Sequence, residues 1–506
     1  MMTEQYIGSI DQGTTSTRFI IFTPSGHPIA SHQLEFTQIY PEPSWVEHDP
    51  QESVGSVHTC MEEVAKNLRA QGIKLSQVKG IGITNQRETT IVWDTQTGAA
   101  LYNAIVWSDA RTATTVKQLE SKEGSKEIPA LCGLPISTYF AGVKVRWLID
   151  NVPEVKECYE RGHSAFSTID SWLLYNLTGG LNGGRHITDT TNASRSMFMN
   201  IQTQKWDSKL LKFFGVEKSV SPEIVSSSEV YGRLGTGSFS GTTLSGCLGD
   251  QSAALVGQLA FEPGQAKNTY GTGCFLLYNT GEKPVISKNG LLTTVGYHFK
   301  GQKPVYALEG SIAVAGSAIK WLRDKMGLIE SSQAIGTLAS EVEDSAGVIF
   351  VTALSGLFAP YWRPDARGTI LGLTQYTTKH HVCRAVLEAT CFQTKAILDA
   401  MELDSGTPFT KLRVDGGMTN SDLAMQIQSD ILGIEVERPL MRETTALGAA
   451  IAAGFAVGVY NSFEELKHIN QDGKTSFKPQ ISSEQRNTRY ALWERGVERA
   501  IGWLEN

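Results

Sequence analysis

Residues 9–22, SIDQGTTSTRFIIF, read as two β-strands joined by a glycine turn. The strands are expected at 6–10 and 17–23. The first ends on an acid, Asp11, and the turn holds Gly13, Thr14, Thr15 and Ser16. Glycine permits φ > 0 and close backbone approach, and free N–H groups in such a turn form an anion nest. The three hydroxyls add donors, which points to phosphate. No G-K-[ST] follows, so this is not a P-loop. Locally, the same residues also suit a polar hairpin turn capped by Asp11.

Working outward, a third strand is expected at 28–36. The next segment, 51–70, places Val54, Val57, Met61, Val64, Ala65 and Leu68 at i, i+3, i+4, i+7 spacing. That spacing predicts an amphipathic helix. GIGIT (80–84) and TTIVWD (89–94) follow as strands. The order βββαβ begins with an antiparallel meander and differs from the βαβ unit of dinucleotide folds. The stretch 150–250 is mixed and rich in turns. GQLAFEPGQ, starting at Gly257, carries Gly and Pro and marks a boundary.

The opening pattern then returns. QAKNTYGTGCFLLYNTG (265–281) is again strand, Gly-Thr-Gly turn, strand. Two such turns suggest duplicated α/β halves whose turns face one another. Further on, KLRVDGGMTNSDLAMQIQSDIL reads as strand, Gly-Gly turn and helix, with Ser421 or Asn420 as N-cap. A helix start of this kind can lie against a nucleotide. His380-His381 is expected to begin a long helix rather than bind metal. ALGAAIAAGFAVGV (446–459) is too short to span a bilayer and reads as a closely packed buried helix.

The bulk numbers narrow the classes. A chain of 506 residues is long enough for two or more domains. Its net charge of -7 argues against nucleic acid and anionic membranes as partners. The seven cysteines are odd in number and form no C-x-x-C, as expected of reduced thiols in the cytoplasm. Met1 to Gln5 is polar, so no leader is expected, and WLEN at the end is not a peroxisomal signal.

Three further places carry chemistry. In TNQRETT, Arg87 and Glu88 adjoin in a tight connection. Neighbouring opposite charges usually make a solvated turn, but they also supply the donor and the acceptor that a polyol needs. Trp107, Tyr139 and Phe275 suit either a core or the apolar walls of a carbohydrate site. In CLGDQSAALVGQ, Asp250 precedes an Ala-rich helix; read locally, it is the helix cap.

Taken in order, SIDQGTTSTR, GITNQRETTIVWD, NTYGTGCFLL, LEGS, APYWRPDARGTILGLT, RVDGG and ETTALGAA resemble the FGGY family of carbohydrate kinases over essentially the whole length. The segment YFAGVKVRWLIDN also fits, apart from Ala141, where the family expects Pro, Ser or Thr. The resemblance implies an α/β fold of two actin/hexokinase-like (ribonuclease H-like) domains. Each would be a mixed β-sheet flanked by helices, with a cleft between them. The expected split is 1–257, with the polyol site and first phosphate turn, and 258–506, with the second turn and the adenosine site.

The resemblance is strongest to the family's glycerol-phosphorylating members. It implies phosphoryl transfer from ATP to glycerol, giving sn-glycerol 3-phosphate and ADP. By motif, Asp250 matches the family's catalytic base. Gln251, Arg87, Glu88 and Tyr139 match its hydroxyl-binding groups, and Trp107 and Phe275 its aromatic walls. Thr14, Thr15, Ser16 and Arg18 match the first phosphate turn, and Thr272 with Gly273 the second. Gly316 and Gly417 match positions lining the adenosine. Lys320 stands near the nucleotide where many relatives have Gln, and Ser421 where many have Asn.

A carboxylate beside triphosphate is repelled unless a cation stands between. Asp11, with Asp250, is therefore expected to hold hydrated Mg²⁺. The implied partners are glycerol and MgATP, with no nucleic acid and no membrane insertion; a homo-oligomer is compatible. GTGSFSGTTLSGCLGDQ has no Arg between Leu234 and Asp250, so inhibition by fructose 1,6-bisphosphate through this loop is not expected. The alternatives are another sugar or polyol kinase of the family, or a non-catalytic nucleotide switch on the same superfold.

Overall fold

The computed structural model describes residues 4–470 and 472–504. The leader and C-terminal signal readings fall partly on residues 1–3 and 505–506, outside the described residues. Two mixed sheets dominate the fold. The first runs Ser228–Arg233, Thr243–Gly249, Val78–Asn85, Tyr6–Gln12, Ser16–Phe22, Pro28–Glu35. The second runs Leu292–Tyr297, Val305–Ile312, Cys274–Gly281, Gln265–Tyr270, Lys411–Asp415, Glu435–Arg438, Thr475–Phe477.

Their pairing patterns coincide. From Pro28–Glu35 inward, the first sheet reads antiparallel, antiparallel, parallel, parallel, antiparallel. From Val305–Ile312 inward, the second reads the same way. The second sheet adds one antiparallel edge strand, Leu292–Tyr297. The duplication suggested by the two glycine turns is therefore a duplication of topology. Both turns sit at the same place, between the first two strands of their half.

The local chemistry explains the elements. Tyr6–Gln12 is almost wholly buried, as a central strand covered on both faces must be. The helix Pro50–Ala70 starts at Asp49, whose side chain accepts from the Gln51 N–H, with Pro50 in its first turn. It buries Val57, Met61, Val64, Ala65 and Leu68 of the predicted stripe, and Val54 is half-buried. The long helix Lys379–Ser405 does begin at the histidine pair, with Thr378 as its cap. TTIVWD leaves the first sheet. Thr90–Asp94 instead joins Glu47–His48, Ala104–Ile105 and Ser164–Thr168 in a separate four-stranded sheet.

Two helices join the halves. Asp250–Gly257 and Thr444–Ala456 leave corresponding strands of the two sheets and pack on each other. Close approach needs glycine here. A Cβ on Gly448 would lie 1.8 Å from the Ala253 carbonyl oxygen, and one on Gly82 2.1 Å from that of Ala449. The second helix thus presses on both its partner helix and the first sheet. One apolar cluster consequently draws Ile7, Ile20 and Phe22 together with Leu277 and Ala307 of the other half. All seven cysteines are buried and unpaired. Among the described residues no helix is long and apolar enough to cross a membrane.

Candidate active site

The first glycine turn is braced from behind. Its own closure is the Gly13 N–H to the Ser16 carbonyl, 3.0 Å. Gln86 Nε2 donates to the Gly13 carbonyl at 3.0 Å and Gln38 Nε2 to that of Thr14 at 3.1 Å. His48 lies between the two glutamines. In front, Trp107 Nε1 donates to Thr14 Oγ1 at 2.9 Å, which fixes the ring against the turn. Thr15 stays exposed.

Asp11 and Arg18 face each other across the hairpin register. Arg18 also reaches the other half, where its Nη1 meets Glu443 Oε2 at 2.5 Å. Burial pushes the Asp11 carboxyl up to about 7. Arg18 opposes that shift, and Glu443 and Asp250 add to it. Three acids from three segments therefore converge with one arginine.

The second turn needs Gly273. A Cβ on Gly273 would sit 2.3 Å from the Ile312 carbonyl oxygen. The Thr272 carbonyl accepts from Ala315 and Ser317, and the Gly271 carbonyl from Gly316. These bonds dock the turn onto the start of the helix Gly316–Asp324. A cavity of about 690 Å³ opens beside it. Thr272, Gly316, Lys320, Gly417 and Ser421 all line this cavity. Ser421, not Asn420, is the N-cap of Asp422–Leu432 and accepts from Ala424 N–H.

The Arg87-Glu88 turn is not solvated. Both residues are buried, and Glu88 takes φ 59°, a left-handed conformation. Arg87 donates twice to Glu309, at 2.6 and 2.9 Å, and its Nε lies 3.1 Å from Asp250 Oδ1. Arg195 Nε donates to Glu88 Oε1 at 2.5 Å, and its Nη2 to Glu309 Oε1 at 3.2 Å. Burial would raise the Glu309 carboxyl, but Arg195 and Arg87 outweigh it and hold it at about 2. For Glu88, burial wins over Arg195 and Arg87, and the carboxyl is raised.

Asp250 is the first residue of its helix rather than the cap; Gly249 holds the cap position. Freed from capping, the side chain accepts the adjacent Gln251 N–H at 2.7 Å and stays partly exposed beside Arg87. Trp107 meets Tyr139 and Phe275 edge-on, with ring centroids 5.6 and 6.0 Å apart. The three rings are half-buried, so they wall a site rather than fill a core. An acceptor (Glu88), a donor (Arg87), a partly exposed carboxylate (Asp250) and apolar walls thus meet beside the first glycine turn.

Residues 6–257 match the N-terminal domain of the FGGY family of carbohydrate kinases, and residues 266–457 match its C-terminal domain. The chain belongs to the FGGY family of carbohydrate kinases. It is similar to the glycerol kinase of Brucella anthropi, with 53% identity covering 99% of this chain and all of that one. It is similar to glycerol kinase 2 of Streptomyces avermitilis, with 51% identity covering 99% and 98%. Among solved structures, Plasmodium falciparum glycerol kinase with ADP superposes with a TM-score of 0.92 and 40% identity over 98% of each chain. Gluconate kinase from Lactobacillus acidophilus, 22% identical with a TM-score of 0.86 and 98% of each chain covered, shares the fold.

Several residues that hold this candidate site together escaped the sequence reading. Glu309 lies in LEGS, a motif noted only for its order. Arg195 and Lys267 carry no local signal. Neither does Lys144, which donates to the carbonyls of Thr138 and Tyr139 at 3.0 and 2.5 Å and steadies the backbone under Tyr139. Such partners come from elements far apart in the chain, and spacing rules see only neighbours.

Proposed function

We propose that this chain transfers the γ-phosphoryl group of ATP to a terminal hydroxyl of glycerol, giving sn-glycerol 3-phosphate and ADP. The observation that carries this reading is the buried Arg87-Glu88 turn under three half-buried rings, with the Asp250 carboxylate at its edge. Glu309 and Arg195 compensate this buried charge and hold the donor and the acceptor in place, and their remaining hydrogen-bonding capacity suits the hydroxyls of a polyol. Glycerol kinases make up the most similar relatives described above, which supports the triol over a longer sugar.

In this reading Glu88 accepts from one hydroxyl, and Arg87, Gln251 and Tyr139 bond the others. Trp107 and Phe275 cover the carbon chain. Asp250 accepts the proton of the attacking hydroxyl. The turns at Thr14, Thr15, Ser16, Arg18 and at Thr272, Gly273 hold the phosphates of ATP, and Gly316, Lys320, Gly417 and Ser421 the adenosine. Phosphoryl transfer asks mainly for alignment and charge stabilisation.

The donor set of Asp11 and Asp250 is carboxylate oxygen only, which suits a small hard cation. Burial raises the Asp11 carboxyl, and Glu443 and Asp250 nearby add to the shift against Arg18. These two acids would hold Mg²⁺, which when bound offsets charge on the phosphates. The expected split into 1–257 and 258–506 puts the polyol groups other than Phe275 in one half and the adenosine groove in the other. A cytoplasmic location is consistent with seven free, buried thiols.

The test is ADP release from purified chain with MgATP across a panel of polyols and sugars. Turnover stimulated by glycerol is expected. Turnover stimulated only by a five- or six-carbon sugar would reassign the substrate, and ADP release unaffected by every polyol would end the kinase reading.

A further inference from the structure

Lys267 lies in the middle of the strand Gln265–Tyr270 and is fully buried. Its ammonium group donates to three neutral oxygens: Gln251 Oε1, Thr269 Oγ1 at 3.1 Å and the Phe275 carbonyl at 3.3 Å. An ammonium has three donors and no acceptor, so its capacity is used up. Burial pushes it down to about 8, partly offset by the more distant Asp415 and Asp250. A buried charge with only neutral contacts is costly, and an apolar residue would serve the strand better. The three acceptors share one location. Gln251 follows Asp250, and Thr269 and Phe275 flank the second phosphate turn.

The consequence falls on Gln251. A primary amide has one acceptor end and one donor end, and either can face a ligand. A donor-only neighbour removes that choice. Oε1 must turn to Lys267, so Nε2 is the end left for the cleft.

We propose that Lys267 is a positioning residue of the polyol site: it fixes the polarity of Gln251, so that this amide offers N–H and never C=O to the substrate. The same ammonium ties the Phe275 wall to that donor through the Phe275 carbonyl. The pocket then has a set polarity, with Arg87 and Gln251 donating and Glu88 and Asp250 accepting. This inference rests on the reading that Gln251 meets the polyol.

The test is a double-mutant cycle on the full chain, following KM for glycerol, KM for ATP and kcat. Gln251→Ala should raise KM for glycerol about tenfold. Lys267→Met should raise it by a similar factor and leave KM for ATP within about twofold, because its effect passes through Gln251. In the Gln251→Ala background, Lys267→Met should then add less than about twofold. Equal losses in both backgrounds, or a loss confined to KM for ATP, would overturn the proposal.

Gln251→Glu covers the case in which Lys267→Met does not fold. It keeps the shape and pairs with Lys267 but faces the cleft with an acceptor. It should lose glycerol binding at least as strongly as Gln251→Ala, and a wild-type KM for glycerol in this variant overturns the proposal. If Gln251→Ala itself leaves KM for glycerol unchanged, the polyol-site assignment fails first, and this inference with it.

Discussion

Around Arg87 and Glu88, five charged side chains interlock: Glu88 with Arg195, Arg195 with Glu309, Glu309 with Arg87, and Arg87 with Asp250. The 690 Å³ cavity beyond the second turn is built differently. Glycines, hydroxyls and apolar side chains such as Ile319, Ile335 and Met418 line it, and its charged residues are Lys320 and Asp422. Interlocked ion pairs fix where the donors and acceptors of a site stand, and a ligand whose hydroxyls do not match them is rejected. An open, weakly charged groove reads shape and tolerates exchange. Substrate choice in this enzyme should therefore be strict at the polyol end and forgiving at the adenosine end.

The largest break in that contrast is expected at Asp250, where the two ends meet. Asp250→Asn keeps size and removes the proton acceptor. It should lower kcat by about 10²- to 10⁴-fold with glycerol affinity retained. Pre-steady-state ADP formation together with glycerol binding followed by Trp107 fluorescence measures both. Near-normal turnover would take the base role away from Asp250.

Next comes the anchor of the network. Glu309→Gln leaves Arg87 and Arg195 buried with one countercharge fewer. Removing one partner of a buried ion pair costs about 3–5 kcal/mol. Chemical denaturation should show a loss of that size, with glycerol binding impaired in whatever remains folded. A loss under about 1 kcal/mol would mean that the network is wetter and looser than its burial suggests.

A third effect sits behind the first turn. Burial lowers His48 from 6.5 to about 4, and it stays neutral between Gln38 and Gln86, which hold the turn carbonyls. Because the folded value lies below the unfolded one, this contribution is complete above pH 6.5 and is lost as pH falls toward 4. The loss is at most about 3 kcal/mol. Denaturation curves at intervals from pH 7 to 4 should show it, and His48→Gln should flatten that part of the profile. An unchanged profile in the variant would place the acid sensitivity elsewhere.

The contrast between the regions also separates what was readable in the chain. The glycine turns could be read because a glycine between two strand-like runs is a short-range signal, although the backbone that excludes a Cβ at Gly273 is that of Ile312, a distant strand. The Gly- and Ala-rich run 446–459 announced a close-packed helix for the same reason, and Thr444–Ala456 packs through Gly448. The Arg87-Glu88 pair misled when read alone, since local rules place adjacent charges in water. Its burial comes from Glu309 and Arg195, 222 and 107 residues away along the chain from Arg87 and Glu88. Asp250 misled in the opposite sense, looking like a cap until Gly249 took that position. Lys267 was silent because one lysine in a strand carries no pattern. The duplicated topology was visible only as two similar turns; the shared order of strand pairings belongs to the fold.

The smallest effect is expected where the groove is most forgiving. Ser421 lines the cavity and also caps Asp422–Leu432, accepting from the Ala424 N–H at 3.2 Å. Ser421→Ala removes the cap and should cost about 1 kcal/mol of stability. If the side chain does no more than start the helix, KM for ATP should move less than about threefold. Ser421→Asn keeps a good capping side chain and should restore the stability. A loss of ATP binding in Ser421→Ala that Ser421→Asn does not recover would show a specific contact to the nucleotide. The adenosine end would then be as strictly read as the polyol end, and the division of labour drawn between the two regions would fail.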